Sequence, residues 1–327
     1  MTRRALAVVL ALVPAPAAGQ GLAAACSAPL EAYCVRTAQA AEIALSRTAI
    51  AAALGNPVPG TASTLGMRLG SMPRFTIAGR FGLARATLPH IATPDDTDDH
   101  GASITSFGVD ISVGLYSGIA LGPTVGGFAS VDLLTSLVGI TMPGTDGWGG
   151  TLHSWGLGAR FGVLRESFTA PGLSVSVMRR GFGGVEYGRN SFAVNGGRPP
   201  PQGAVGSVLA RQNESAYINI DDYSSWSVRA AVGKRMAGIG VTGGIGWDRA
   251  TADVLLRRQA ALGPATTESP GFSADRFTVW GDASFTLLIA SAVLDVGWQS
   301  GGDEPAAGAD YVSRGGLYGA LALRLGF

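Results

Sequence analysis

The sequence predicts an all-β fold: an antiparallel transmembrane β-barrel of about ten strands, with a short helical N-terminal segment ahead of it. Three observations carry this expectation. From Pro73 onward, apolar residues recur at every second position, the period of a strand with two unlike faces. The connections between these stretches are alternately short and long, as in a barrel with tight turns at one rim and loops at the other. The composition is apolar yet offers no membrane helix: 46% of residues are hydrophobic and 14% charged, with 49 glycines in 327 residues. No segment has the roughly 18 to 20 uninterrupted apolar residues a helical span needs. The net charge of +1 gives no electrostatic case for nucleic-acid binding.

The elements follow in order. Residues 1–20 read as a signal peptide: Arg3 and Arg4, the apolar run Ala5 to Val13, then a small-residue cleavage zone. A buried N-terminal helix is the alternative for this run. Residues 21–72 form a helical segment, periplasmic or plugging the barrel. Its two cysteines, Cys26 and Cys34, are the only ones in the chain. A pair in an exported protein favours a disulfide. On one continuous helix they would stand about 12 Å apart, so bonding needs the bend that Pro29 permits; two free thiols are the alternative. Leu30 to Leu54 is Ala-rich and lacks strand alternation, and Gly55-Asn56-Pro57 stops it, which predicts one or two helices.

Residues 73–327 predict the barrel. In Ser106–Leu115, Phe107, Val109, Ile111, Val113 and Leu115 face one way, with Gly108, Asp110, Ser112 and Gly114 opposite. The same alternation marks 74–88, 122–138, 153–165, 172–186, 223–235, 239–257, 277–287, 290–300 and the C-terminal stretch. In 172–186 it breaks near Phe182, which predicts a bulge. Short connections fall near 117–121, 167–171, 236–238 and 288–290. Long ones fall near 89–101, 140–152, 187–222, 258–272 and 301–314. The 187–222 stretch is long enough for a further hairpin, which leaves twelve strands open. Outward aromatics near strand ends, including Phe75, Phe107, Trp155, Trp226, Trp247 and Trp298, suit interfacial girdles.

The signal segment, the alternating strands and the ending Leu321-Ala322-Leu323-Arg324-Leu325-Gly326-Phe327 together resemble Gram-negative outer-membrane β-barrels. In that class a closing aromatic, with apolar residues at every second position before it, is read by the assembly machinery. The resemblance implies that Leu321, Leu323, Leu325 and Phe327 form the assembly signal. It also implies outer-membrane lipid, the barrel assembly machinery and periplasmic chaperones as partners. A helix before the first strand is faintly similar to the hatch of long-chain fatty-acid transporters.

If the apolar face of each strand meets lipid, parity places about one charge per strand in the lumen. These are Arg80, Asp110, Asp132, Arg160, Arg180 (or Arg179), Arg229, Asp248, Asp282, Asp295 and Arg324. Their balanced signs favour an internal salt-bridge network that closes a narrow barrel; a constricted polar path is the alternative. Glycines on the same face, Gly108, Gly114, Gly156, Gly158, Gly162 and Gly246 among them, let a plug approach the wall.

No enzyme motif, metal set or cofactor site is expected. The histidines His90, His100 and His153 fall at the loop end. The acidic loop His90–His100 lacks calcium-loop spacing, and Asp98, Asp99, Asp221 and Asp222 show no spacing that matches omptin-like proteases. His153 and Ser154 are neighbours on opposite faces, so they cannot form the Ser–His pair of an outer-membrane phospholipase. The expected function is passive transport, through a narrow or gated pore, of small or hydrophobic solutes. The alternative is a closed, non-enzymatic structural or adhesion barrel.

Overall fold

The computed structural model describes residues 22, 26, 31–66, 73–88, 100–122, 126–142, 148–149, 151–188, 215–259, 265–300 and 315–327. Among the described residues, the helix α1 (Glu31–Ala53) precedes twelve strands. They are β1 (Phe75–Leu88), β2 (His100–Tyr116), β3 (Ser130–Thr141), β4 (Thr151–Leu164), β5 (Gly172–Phe182), β6 (Val185–Tyr187), β7 (Ser215–Met236), β8 (Ile239–Gln259), β9 (Ala265–Glu268), β10 (Gly271–Leu287), β11 (Ala290–Gln299) and β12 (Gly316–Gly326).

Ten of these strands close a ring. Each long strand pairs antiparallel with its neighbour, β5 pairs with β7, β8 with β10, and β12 returns to β1 through pairs such as Phe81 with Leu321. The two remaining strands are continuations. β6 extends β5 along β7 after the break at Gly183-Gly184, where the sequence alternation fails, and β9 precedes β10 along β8. The described part of the long 187–222 stretch is therefore not a further hairpin. Its last residues belong to β7, which begins at Ser215 rather than near 223. Of the others, β2 and β10 begin six residues earlier than expected, at His100 and Gly271, β3 begins at Ser130 instead of 122, and the remaining bounds agree closely.

One rim carries the tight turns. Ala237 and Gly238, both with positive φ (49° and 86°), join β7 to β8, the left-handed pair that fits a twisted hairpin. The chain's last strand ends at this rim: the Phe75 amide donates to the Phe327 carbonyl, and the two rings stack 4.8 Å apart.

Strand polarity changes with height. In the half nearer the turns, the outward residues are apolar and exposed. Phe81, Leu137, Leu294 and Leu321 are 51%, 66%, 52% and 60% exposed, while the inward residues are mostly Ser, Thr, Asp and Arg, with Leu134, Met178 and Val293 among them. Further up, the faces exchange character. In β8 the outward series runs Ile239, Val241, Ile245, Trp247 and then Arg249, Thr251, Asp253. The inward series runs Thr242, Asp248 and then Ala250, Ala252, Val254, Leu256. β1, β2, β7 and β10 switch in the same way. Phe107, Trp155, Trp226, Trp247 and Phe277 stand outward at the crossover. The single rule that the apolar face is the outer face therefore holds only below that ring. Above it the barrel continues as a protein-filled cap with a polar exterior.

The cap has an apolar interior because α1 occupies it. Ala41, Leu45, Ile50 and Leu54 pack in one core with Ile104, Ile140, Ile218, Val254 and Phe272 of the wall. The wall surrounds the helix, so even its polar Thr37, Ser46 and Thr48 are buried. Leu54 lies against Gly82, Thr48 donates to the Met142 sulfur, and the Tyr223 hydroxyl donates to the Leu45 carbonyl at 2.6 Å. These wall positions stand progressively farther from the turn rim, so the helix N-terminus points to the long-loop rim. There Cys26 and Cys34 form a disulfide, while the buried Leu22 amide donates to the carboxylate of Glu42 midway along the helix. At the other end Leu54, in the left-handed conformation (φ 45°), ends the helix. Residues 55–66 then descend through the polar lower lumen.

Candidate functional site

The lower lumen gathers the sequence-predicted charges around this descending segment. Six of them form three ion pairs. Arg80 meets Asp110 at 2.9 Å, Arg160 meets Asp132 at 2.8 Å, and Arg229 meets Asp248 at 2.7 Å. Arg229 Nη2 donates to both Asp248 oxygens, its Nη1 donates to the Val228 and Trp247 carbonyls, and Thr278 donates to the same carboxylate at 2.8 Å. Arg229 lies across the position of Gly246, where a Cβ would overlap its side chain.

The other four charges take different partners. Arg324 donates to the Pro59 carbonyl at 2.6 Å and to the Ser291 hydroxyl at 3.2 Å. Arg180 donates to the Ser227 hydroxyl and the Met178 sulfur. It is the inward member of its pair, whereas Arg179 points outward over the Trp226 ring. Asp282 and Asp295 stand directly opposite one another on β10 and β11, an unfavourable pairing by itself. Asn56 resolves it: its backbone amide donates to Asp295 at 3.2 Å and its side-chain amide to Asp282 at 2.9 Å.

Asn56 is the residue the sequence reading missed as a functional one. Its carbonyl accepts from Arg80 at 2.9 Å, and its side-chain oxygen accepts from the Val58 amide. One side chain and its backbone thus tie three strands, β1, β10 and β11, to the plug. Gly55 beside it is required by space, since a Cβ there would overlap the Asp295 carboxylate and Trp280.

Asp132 makes the second anchor. Fully buried, it accepts from the backbone amides of Leu65 and Gly66, at 3.0 and 2.9 Å, and from Arg160 Nε at 2.9 Å. Gly114 lies so close to the Gly66 backbone that a Cβ would overlap it. The Thr64 and Ser130 hydroxyls bond to each other beside this contact. These contacts place residues 54–66 across the lumen, from the crossover ring down to the turns.

The expected assembly-signal residues Leu321, Leu323, Leu325 and Phe327 all face outward from β12 and the residue after it, opposite Ala320 and Arg324. His153 is exposed while Ser154 is buried in the lumen, so the two do face opposite ways. Asp221 accepts from the Asn219 side chain on the cap exterior. The acidic loop 90–99 lies outside the described residues, as does the side chain of His100.

No protein-family model matches the chain, and no curated protein matches it in sequence. Solved structures similar to it include the translocator domain of the autotransporter NalP from Neisseria meningitidis, 12% identical over 79% of this chain and 88% of that one, with a TM-score of 0.39. The TodX monoaromatic hydrocarbon channel, as its deltaS2 mutant, is 8% identical over 81% and 92%, with a TM-score of 0.34. The attachment invasion locus protein Ail of Yersinia pestis is 10% identical over 78% and 98%, with a TM-score of 0.27. The chain has the architecture of an outer-membrane β-barrel: a closed antiparallel ring, an outward apolar belt and a polar lumen.

Proposed function

We propose that the chain is exported by a cleaved signal segment, guided by periplasmic chaperones and the barrel assembly machinery, and resides in the outer membrane as a barrel closed at rest. In this reading it is a non-enzymatic surface structure. Its tight turns face the periplasm, the usual orientation of such barrels, and its cap, helix N-terminus and long loops face outward.

The observation that supports the closed state is the unbroken occupancy of the axis. Helix α1 fills the cap, and residues 54–66 fill the lower lumen down to Ser130 and Gly114. Conduction needs a continuous polar path, and here buried side chains stand in its place. A gated passage for small or hydrophobic solutes is the second reading. It is favoured by the grip on residues 54–66, which is mainly hydrogen bonding that water can replace.

Planar-bilayer recordings separate the two. The full chain is expected to give no current steps, and a variant lacking residues 31–66 is expected to conduct. Reproducible steps from the full chain would overturn the closed reading. Uptake of a hydrophobic solute into liposomes by the full chain, lost when the plug is cross-linked to the wall, would establish the gated one.

A further inference from the structure

The lumen is not filled at its turn rim. Below the plug lies a cavity of about 740 Å3, lined by Arg74, Arg165, Arg235 and Arg324, with Glu166 and the C-terminal Phe327. Four guanidiniums therefore face two carboxylates at most. Among the described residues, none of the four arginines has a carboxylate partner within salt-bridge distance. Glu166 instead accepts from the Arg235 backbone amide.

The arginines are held, but not neutralised. Arg324 is 6% exposed and spends its donors on Pro59 and Ser291. Arg165 donates to the Ser117 carbonyl at 2.9 Å, while its buried Nε has no partner. Arg74 and Arg235 make no side-chain hydrogen bond among the described residues. Converging cations without counter-charge are unfavourable in a partly enclosed space, and each guanidinium offers a planar fork that suits tetrahedral oxyanions. The same cavity is bounded by Phe168 and Leu288, which are 98% and 92% exposed. A charged floor with an apolar rim suits a headgroup whose remainder is greasy, at the level where the outward belt ends.

We propose that this vestibule binds a phosphate group, supplied either by an anionic lipid headgroup or by a soluble phosphate. The proposal does not depend on whether the barrel conducts.

The test uses the purified full chain in non-ionic micelles. Native mass spectrometry compares phosphatidylglycerol with diacylglycerol, which has the same tails and no phosphate, and equilibrium dialysis measures inorganic phosphate. Phosphatidylglycerol is expected to bind at least tenfold more tightly than diacylglycerol, with at least a tenfold loss in Arg74→Gln/Arg235→Gln and in Arg165→Gln. Heat-modifiable gel migration checks that the variants fold. Displacement by millimolar inorganic phosphate assigns a soluble source, and its absence assigns the lipid. Equal binding of the two lipids with no phosphate uptake, or binding unchanged in both variants, overturns the proposal.

Discussion

Replacing Asp132 tests how the plug is anchored. Its carboxylate is fully buried and serves two clients at once, the Arg160 guanidinium on β4 and the backbone amides of Leu65 and Gly66. Asp132→Ala leaves Arg160, itself 2% exposed, as an uncompensated buried cation. Breaking such a pair from one side costs about 3–5 kcal/mol. Each plug amide left without an acceptor adds about 1–3 kcal/mol, reduced where water enters the lumen. The expected loss is therefore about 5 kcal/mol. Asp132→Leu/Arg160→Met removes the charge with its partner and should recover most of the ion-pair share but none of the amide share. The assay is guanidinium unfolding of the refolded protein followed by tryptophan fluorescence, alongside the midpoint of heat-modifiable gel migration. A loss below about 1 kcal/mol in the alanine variant, or a double variant no more stable than it, would refute the reasoning.

Three further outcomes are expected. Leu137→Arg, on the exposed belt, should cost about 2–4 kcal/mol and lower outer-membrane recovery, whereas Thr251→Arg on the cap exterior should change stability by less than 0.5 kcal/mol; equal effects would remove the distinction between belt and cap. Gly114→Val should displace residues 61–66 from the wall and expose them to protease from the turn side, and an unchanged digestion pattern would contradict the close approach. An epitope inserted at Ala28, between the disulfide cysteines, should be recognised by antibody on intact cells; recognition only after permeabilisation would reverse the assigned orientation.

The sequence disclosed the strands because alternation survives any tertiary environment, and it disclosed the lumen charges because each interrupts an otherwise apolar or small-residue face. The change of polarity along β8 was harder to see. Across Trp247 the period stays two, and only the identity of the apolar face moves, from Ile245 to Ala250 and Val254. A test for alternation registers that as one uninterrupted strand. Asn56 was hidden differently. Gly55-Asn56-Pro57 spells a helix stop, and it is one, but the same three residues also meet Asp282 and Asp295. A local signal that is already explained gives no hint of a long-range role. Arg74, Arg165 and Arg235 sit in or beside turns, where no period exists to show which way they point. Only closure of the ring brings them to one cavity.

The path of the N-terminal segment constrains how the molecule is made. Residues 55–66 enter the ring at the turn rim and α1 leaves toward the other, while β1 and β12 form the seam that shuts the ring. The chain is thus threaded through a hoop made of its own later residues, an uncommon topology. The disulfide loop must lie at the far rim, and Leu22, bonded to Glu42 of the helix, must already be inside, when the seam zips. Pairing of β12 with β1 therefore latches a door on cargo that is already inside. Until the lumen is loaded, the edge of β12 that meets β1 stays open, while its other edge is held by β11.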